Sequence, residues 1–249
     1  MLMQVAYQTD IGQRRASNQD AVGAYVNQSG AHLLLVADGM GGHQGGDVAS
    51  SLTVANLSHL FVQTTLTDIN DLQAWLHHAL YQENRQIYQL SQENEQLRGM
   101  GTTIVAIIVY GNRYIVAHVG DSRAYCMHQQ HLVRLTQDHS LVNALIQQGD
   151  LSPQEAKDFP QRNVITRSLG VDRTVDIDFN IYSLQPHDLL LLCSDGLTNM
   201  VSDDQLALVL QSNASLHDKV QQLVKMANAA GGPDNITALL AAPDEENDQ

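Results

Sequence analysis

Two short, unbroken apolar runs in this chain end at the same dipeptide: "HLLLVADG", His32 to Gly39, and "LLLLCSDG", Leu189 to Gly196. An aliphatic run with no polar alternation is the pattern of a strand covered on both faces. Such strands belong inside a layered core, because runs this short cannot cross a bilayer. Each run also delivers a carboxylate, Asp38 or Asp195, to the end of its strand.

The remaining pattern supplies the covering layers. From Asp47 onward, Val48, Leu52, Ala55 and Leu60 recur at helical spacing, and a second amphipathic helix is expected from Ile69 to about Leu97. Between Thr102 and Leu135, β-branched and aromatic runs are divided by turn signals at Gly111-Asn112, Gly120-Asp121 and His128-Gln129-Gln130, which reads as an antiparallel meander. Ser140 to Phe159 reads as two short helices. Gly149 stops the first, and a Ser152–Glu155 capping box with Pro153 at the first helical position opens the second. A strand over 176–184 is expected next. A capping box at Ser202–Gln205 then starts a helix toward Gln211, another helix follows from Leu216 to Ala230, and "ITALLAA" re-enters a strand. Strands and helices arrive in batches, which favours an α+β layered fold over a parallel βαβ sheet. With no linker or repeat in view, residues 1–242 are expected to form a single domain, followed by a frayed acidic tail at 243–249.

Composition narrows the function. The chain has 249 residues, 43% of them hydrophobic, enough for a full core. Thirteen Lys and Arg against 27 Asp and Glu leave a formal charge of −14, which opposes binding to nucleic acid or an anionic membrane. A phosphate-bearing substrate therefore needs a local positive charge. Cys126 and Cys193 lie in strand-like runs and are expected as buried, reduced thiols, and the first residues lack a secretory pattern. Together these features point to a soluble cytoplasmic protein.

Five aspartates stand beside Gly or Asn near the ends of apolar elements, or in short polar motifs: Asp20, Asp38, Asp121, Asp195 and Asp234. One Asp-Gly alone is ordinary turn chemistry. Five of them, two at the ends of buried strands of one layered fold, can converge, and converging carboxylates repel unless protons or cations intervene. Oxygen donors suit Mg²⁺ or Mn²⁺, and a glycine beside the ligand lets its own carbonyl approach. Two such cations can activate water and clamp the oxygens of an in-line displacement at phosphorus. Arg14 and Arg15, just ahead of Asp20, offer a planar fork for phosphate, although a solvated surface pair is the plainer reading of them alone.

In this order the motifs resemble the metal-dependent protein phosphatases of type 2C, especially the compact bacterial Ser/Thr phosphatases, over nearly the whole chain. By that resemblance "GQRRASNQD" implies Arg15 as the phosphate-binding residue and Asp20 as a metal-side acid. "VADGMGGHQGG" implies Asp38 as the bridge between two metals, with the Gly39 carbonyl beside it. "GTT" followed by "HVGDSRAY" places Asp121 at a third, looser metal. "CSDGLTNM" and "GGPDNIT" supply Asp195 and Asp234. The resemblance further implies a four-layer sandwich of two central antiparallel sheets flanked by helices, with a small helical flap at about 139–170. The implied activity is hydrolysis of phosphoserine and phosphothreonine by a metal-activated water, with two tightly bound Mn²⁺ or Mg²⁺ ions and a third held weakly. Phosphorylated proteins and a cognate Ser/Thr kinase are the implied partners, and a monomer the implied state.

Departures qualify the roles. Gln19 stands where many members have Glu, which implies weaker metal affinity. Asn199 stands where some have Asp, which leaves the third metal to Asp121 with Asp195. Met40 follows the Asp-Gly where animal members carry a histidine, so the leaving-group acid is unassigned, with His43 as one candidate and a structural loop histidine as the other. His118 and His139 read as structural. A phosphoprotein-binding pseudophosphatase and a dedicated single-partner phosphatase remain as alternatives.

Overall fold

In the strand that carries Asp38, alternate residues face different layers. Leu33, Leu35 and Ala37 pack toward two helices, while Leu34 and Val36 pack toward a second sheet, all with zero exposure. Burial on both faces is why the run shows no polar alternation. The computed structural model of the protein describes residues 2–157, 159–161 and 163–244, and the side chains of His43, Gln44, Pro153 and Lys157 are outside that description.

The chain runs β1 (Met3–Asp10), β2 (Asp20–Val26), β3 (His32–Met40), α1 (Gly42–Phe61), α2 (Ile69–Glu93), β4 (Gly101–Thr102), β5 (Ile104–Tyr110) and β6 (Arg113–Val119). It continues through β7 (Arg123–His128), β8 (His131–Arg134), α3 (Leu141–Gln148), α4 (Pro153–Lys157), β9 (Asp178–Ser183) and β10 (Leu189–Cys193). The last elements are α5 (Asp195–Thr198), α6 (Asp203–Gln211), α7 (Leu216–Ala229) and β11 (Ile236–Pro243). One antiparallel sheet has the order β1-β11-β10-β7-β8; the other has β2-β3-β5-β6-β9, with β4 paired to β3. Leu190, Leu192 and Leu239 meet Val105 and Ile107 between the sheets. Leu57, Leu72, Leu76 and Leu80 of α1 and α2 cover one outer face, and Leu206, Leu210, Leu223 and Val224 of α6 and α7 cover the other. The expected α+β four-layer sandwich is the observed architecture.

Local signals hold where their chemistry is local. Gly149 caps α3 in the left-handed region at φ 80°, and Ser152 exchanges hydrogen bonds with Glu155 ahead of α4. Ser202 and Gln205 close a full capping box on α6. Both cysteines are free and buried, and burial pushes the Cys193 thiol up to about 12.

Two expectations are corrected, and two strands are added that the sequence reading did not include. The first helix begins at Gly42, five residues ahead of Asp47, so the glycine-rich stretch is largely helical. β1 and β2 were not marked by the pattern: they are edge strands of mixed burial and carry no continuous apolar run. The expected meander is instead divided between the sheets, β5 and β6 in one, β7 and β8 in the other. The chain changes sheet at Gly120, whose φ of 109° suits glycine and whose added Cβ would sit 2.6 Å from Thr103 Cγ2. That crossing is what carries Asp121 to the same end of the sandwich as Asp38. Of the expected tail, Pro243 ends β11, the Asp244 N–H donates to the Leu2 carbonyl, and 245–249 lie outside the described residues.

Candidate active site

The site forms where β2, β3, β10 and β11 end together. Asp20 and Asp38 are cross-strand partners in β2 and β3. The Asp38 backbone is pinned by Thr103: its N–H donates to Thr103 Oγ1 at 3.0 Å, and its carbonyl accepts the Thr103 N–H at 2.8 Å. Gly39 follows, and a Cβ there would lie 2.1 Å from the Gly46 carbonyl oxygen, so only glycine lets β3 run this close to the start of α1. Asp195 opens α5 directly after β10, and its Oδ2 accepts from Asn199 Nδ2 at 3.0 Å. Asp234 lies in the turn before β11, and its Oδ2 accepts from Arg15 Nη2 at 2.7 Å.

Arg15, Asp38, Gly39, Asp121, Asp195 and Asp234 line one cleft of about 330 Å³. Asn163 and Ile165, from the segment after α4, border it, as does Met40. Asp20 is not part of the cleft lining. It is buried, and its Oδ2 accepts from Ser194 Oγ at 2.7 Å and Thr237 Oγ1 at 2.6 Å. His43, named as a candidate acid, has its side chain outside the described residues. Arg15 is half exposed, as a group that meets an incoming ligand must be.

Carboxylates packed this closely are in an unfavourable field. Burial raises Asp20 to about 7 and Asp121 to about 8, with the charge of Asp195 adding to both. Burial raises Asp38 well above the usual carboxylate range, with further contributions from Asp20, Asp195, Asp121 and Asp234. Asp195 is also raised, by burial and then by the charge of Asp234. Arg15 is pushed up by its hydrogen bond to Asp234. Three carboxylate oxygens, Asp20 Oδ1, Asp121 Oδ1 and Asp195 Oδ1, are buried with no hydrogen-bond partner. An orphaned buried acceptor is costly, and an all-oxygen acidic donor set with such acceptors is what a hard divalent cation satisfies. The residues present therefore fit the implied metals.

Several supporting residues were not singled out in the sequence. Asn235 ties the arginine loop to the site: its Nδ2 donates to the Ile11 and Ser17 carbonyls at 2.9 and 3.0 Å, and its Oδ1 accepts the Gln19 N–H at 2.8 Å. Ser194 and Thr237 hold Asp20, and Thr103 holds Asp38. Asn235 and Ser194 each adjoin a flagged aspartate, the one signal that pointed their way.

Two stacked antiparallel sheets whose strand ends hold an aspartate cleft with an arginine beside it define the class of protein. The chain belongs to the protein phosphatase 2C family, whose model matches residues 10–241. It is 44% identical over 245 residues to protein phosphatase PhpP of Streptococcus pneumoniae, covering 98% of this chain and 99% of that protein. The serine/threonine phosphatase of S. agalactiae superposes with a TM-score of 0.94 at 42% identity, over 98% of this chain and all of the other. The catalytic domain of the serine/threonine protein phosphatase PstP in complex with two manganese ions superposes with a TM-score of 0.85 at 37% identity, over 96% and 97% of the two chains. Among the described residues no helix is long and apolar enough to cross a membrane.

Proposed function

We propose that this protein is a metal-dependent protein serine/threonine phosphatase, acting on phosphoserine and phosphothreonine in other proteins. The observation that carries the reading is the convergence of Asp38, Asp121, Asp195 and Asp234 with Arg15 on one cleft, with buried carboxylate oxygens left unpartnered. In this reading Asp38, Asp195, Asp234 and the Gly39 carbonyl would hold two Mn²⁺ or Mg²⁺ ions, with Asp38 as the ligand common to both. Asp20 supports them from behind, and Asp121 takes a third, weaker ion. Bound there, the cations neutralise the carboxylates and lower the pKa of water at the phosphorus. Arg15 orients the phosphate with the rest of its five-donor fork, one nitrogen of which already holds Asp234. The segment at 139–170 serves as a flap over the cleft. Its partners are phosphoproteins and a Ser/Thr kinase whose products it reverses, in the cytoplasm and as a monomer.

Purified protein with Mn²⁺ is expected to release phosphate from a phosphothreonine peptide and to stop on addition of EDTA. A scaffold that binds phosphoproteins without turnover releases none. Rapid turnover of a single phosphoprotein beside inert generic peptides would instead mark a dedicated regulatory enzyme.

Two substitutions separate the roles. Arg15→Ala is expected to raise KM for a phosphopeptide by about tenfold or more, the scale of one lost charged hydrogen bond; an unchanged KM removes the phosphate role. Asp121→Ala is expected to lower kcat by about tenfold or more, while calorimetric titration still finds two tight Mn²⁺ ions. Loss of those ions would move Asp121 into the tight sites.

A further inference from the structure

Outside the cleft, among the described residues, a cluster of ligand-type side chains lies beside the turn that carries Asp121. His118, His139 and Asp178 bring three ligand-type atoms within 4.8 Å of one another. Their geometry is not that of a metal site. The His118 and His139 rings stack, with centroids 4.6 Å apart and planes 20° from parallel, so the in-plane lone pairs run side by side and do not converge on one ion. The Gly120 N–H donates to His139 Nδ1 at 3.1 Å. The Gly120 contact is the shorter one, and in a neutral imidazole it puts the proton on Nε2, which lies 3.4 Å from both Asp178 Oδ2 and Arg167 Nη1; in that tautomer Nε2 donates toward Asp178 and accepts nothing from Arg167. The nitrogen a cation would need is the protonated one.

The same contacts fit a different task. The His139 N–H donates to the Gly120 carbonyl at 2.8 Å, so backbone and side chain of one residue grip both polar groups of the glycine ahead of Asp121. On its other side, the His139 carbonyl accepts the Thr166 N–H at 2.8 Å, Ser140 bridges Ile165, and the Leu141 N–H donates to the Val164 carbonyl at 2.8 Å. Asn163 and Ile165 of that segment border the cleft. His139 is 8% exposed, and burial holds its pKa down, so the imidazole stays the neutral acceptor that Gly120 requires.

We propose that His139 is a positioning residue for phosphate-ester hydrolysis: it locks the Gly120–Asp121 turn to the 163–166 border of the cleft, so that Asp121 presents its unpartnered Oδ1 to the site. The proposal rests on Asp121 holding the weaker cation and names what aims that carboxylate. It also links the flap to the weak site, because the backbone that carries His139 continues directly into α3.

Two variants pull apart positioning and packing. His139→Phe keeps a ring against His118 and has no acceptor; His139→Asn loses the ring and places an oxygen near the position of Nδ1. Mn²⁺ titration of each full-length protein, followed by the electron paramagnetic resonance of the free ion, reads the weak site. Exchange of the Gly120 amide reads the hydrogen bond without any metal. In the Phe variant the weak-site dissociation constant is expected to rise about tenfold and Gly120 exchange to quicken at least as much, with the two tight ions retained. The Asn variant is expected to stay within about threefold of wild type on both counts. A Phe variant that binds the weak ion like wild type, or an Asn variant that loses it, overturns the proposal. If the Phe variant does not fold, the Asn variant alone decides by the same criterion. Failure of Asp121→Ala to change the weak site overturns the role of Asp121 itself, a result distinct from failure at His139.

Discussion

Asp38→Ala is expected to abolish Mn²⁺-dependent hydrolysis of p-nitrophenyl phosphate, by about three orders of magnitude or more, while leaving a folded protein. The size follows from position. Asp38 lines the cleft beside Asp195 and Asp234, and its own burial places its charge where water screens it little. Removing one preorganised electrostatic group from such a site costs about 10²–10³ in rate, and a ligand shared by two cations costs more, because both are loosened together. The fold is expected to survive for the opposite reason. Without cations, Asp38 adds repulsion to Asp20, Asp121, Asp195 and Asp234, and its removal relieves them. The EDTA-treated variant should therefore melt no lower than EDTA-treated wild type at pH 8.5. Retained activity sinks the bridging role; lost activity with a collapsed melting temperature would point to a structural one.

The second large effect is the dependence of stability on pH and metal together. Asp20 and Asp121 are raised to about 7 and about 8, and Asp38 and Asp195 are raised as well, so the folded protein holds protons that the unfolded chain has released. A carboxyl with a raised folded pKa contributes stability that is complete below its unfolded value near 4 and is lost as pH rises through the folded value. EDTA-treated protein is therefore expected to lose at least about 5 °C of melting temperature between pH 6.5 and 8.5, a window in which unperturbed carboxylates no longer titrate. Saturating Mn²⁺ at pH 8.5 should restore about 5–10 °C, the range expected when ligand exceeds its dissociation constant a hundredfold. A flat pH profile in EDTA, or equal stabilisation by Mn²⁺ at both pH values, would show that these carboxyls do not share one desolvated site.

Much of the site is legible in the chain because its key residues announce themselves locally. Asp38 and Asp195 end unbroken apolar runs, and the capping boxes at Ser152 and Ser202 need only four residues each to be recognised. The supporting residues are not legible in this way. Thr237 holds Asp20 from 217 positions away, and Asn235 holds the carbonyl of Ile11 from 224. A threonine or asparagine satisfies some partner in almost any setting, so its type says nothing about which one. The division of the expected meander was hidden similarly. Gly120-Asp121 has the composition of a hairpin turn, and only the packing of Thr103 against Gly120 turns it into a passage between sheets.

Residue order alone established the layered α+β plan, the helix caps and the set of acidic residues, since burial period, capping chemistry and strand ends are properties of a few neighbours in sequence. The tertiary structure decided which carboxylates meet, which of them lies behind the cleft, and which oxygens are left without a partner. It also brought His139 against Gly120. Those outcomes depend on distance and local dielectric, through which buried charges act on one another, and both are set by strands paired across the whole length of the chain.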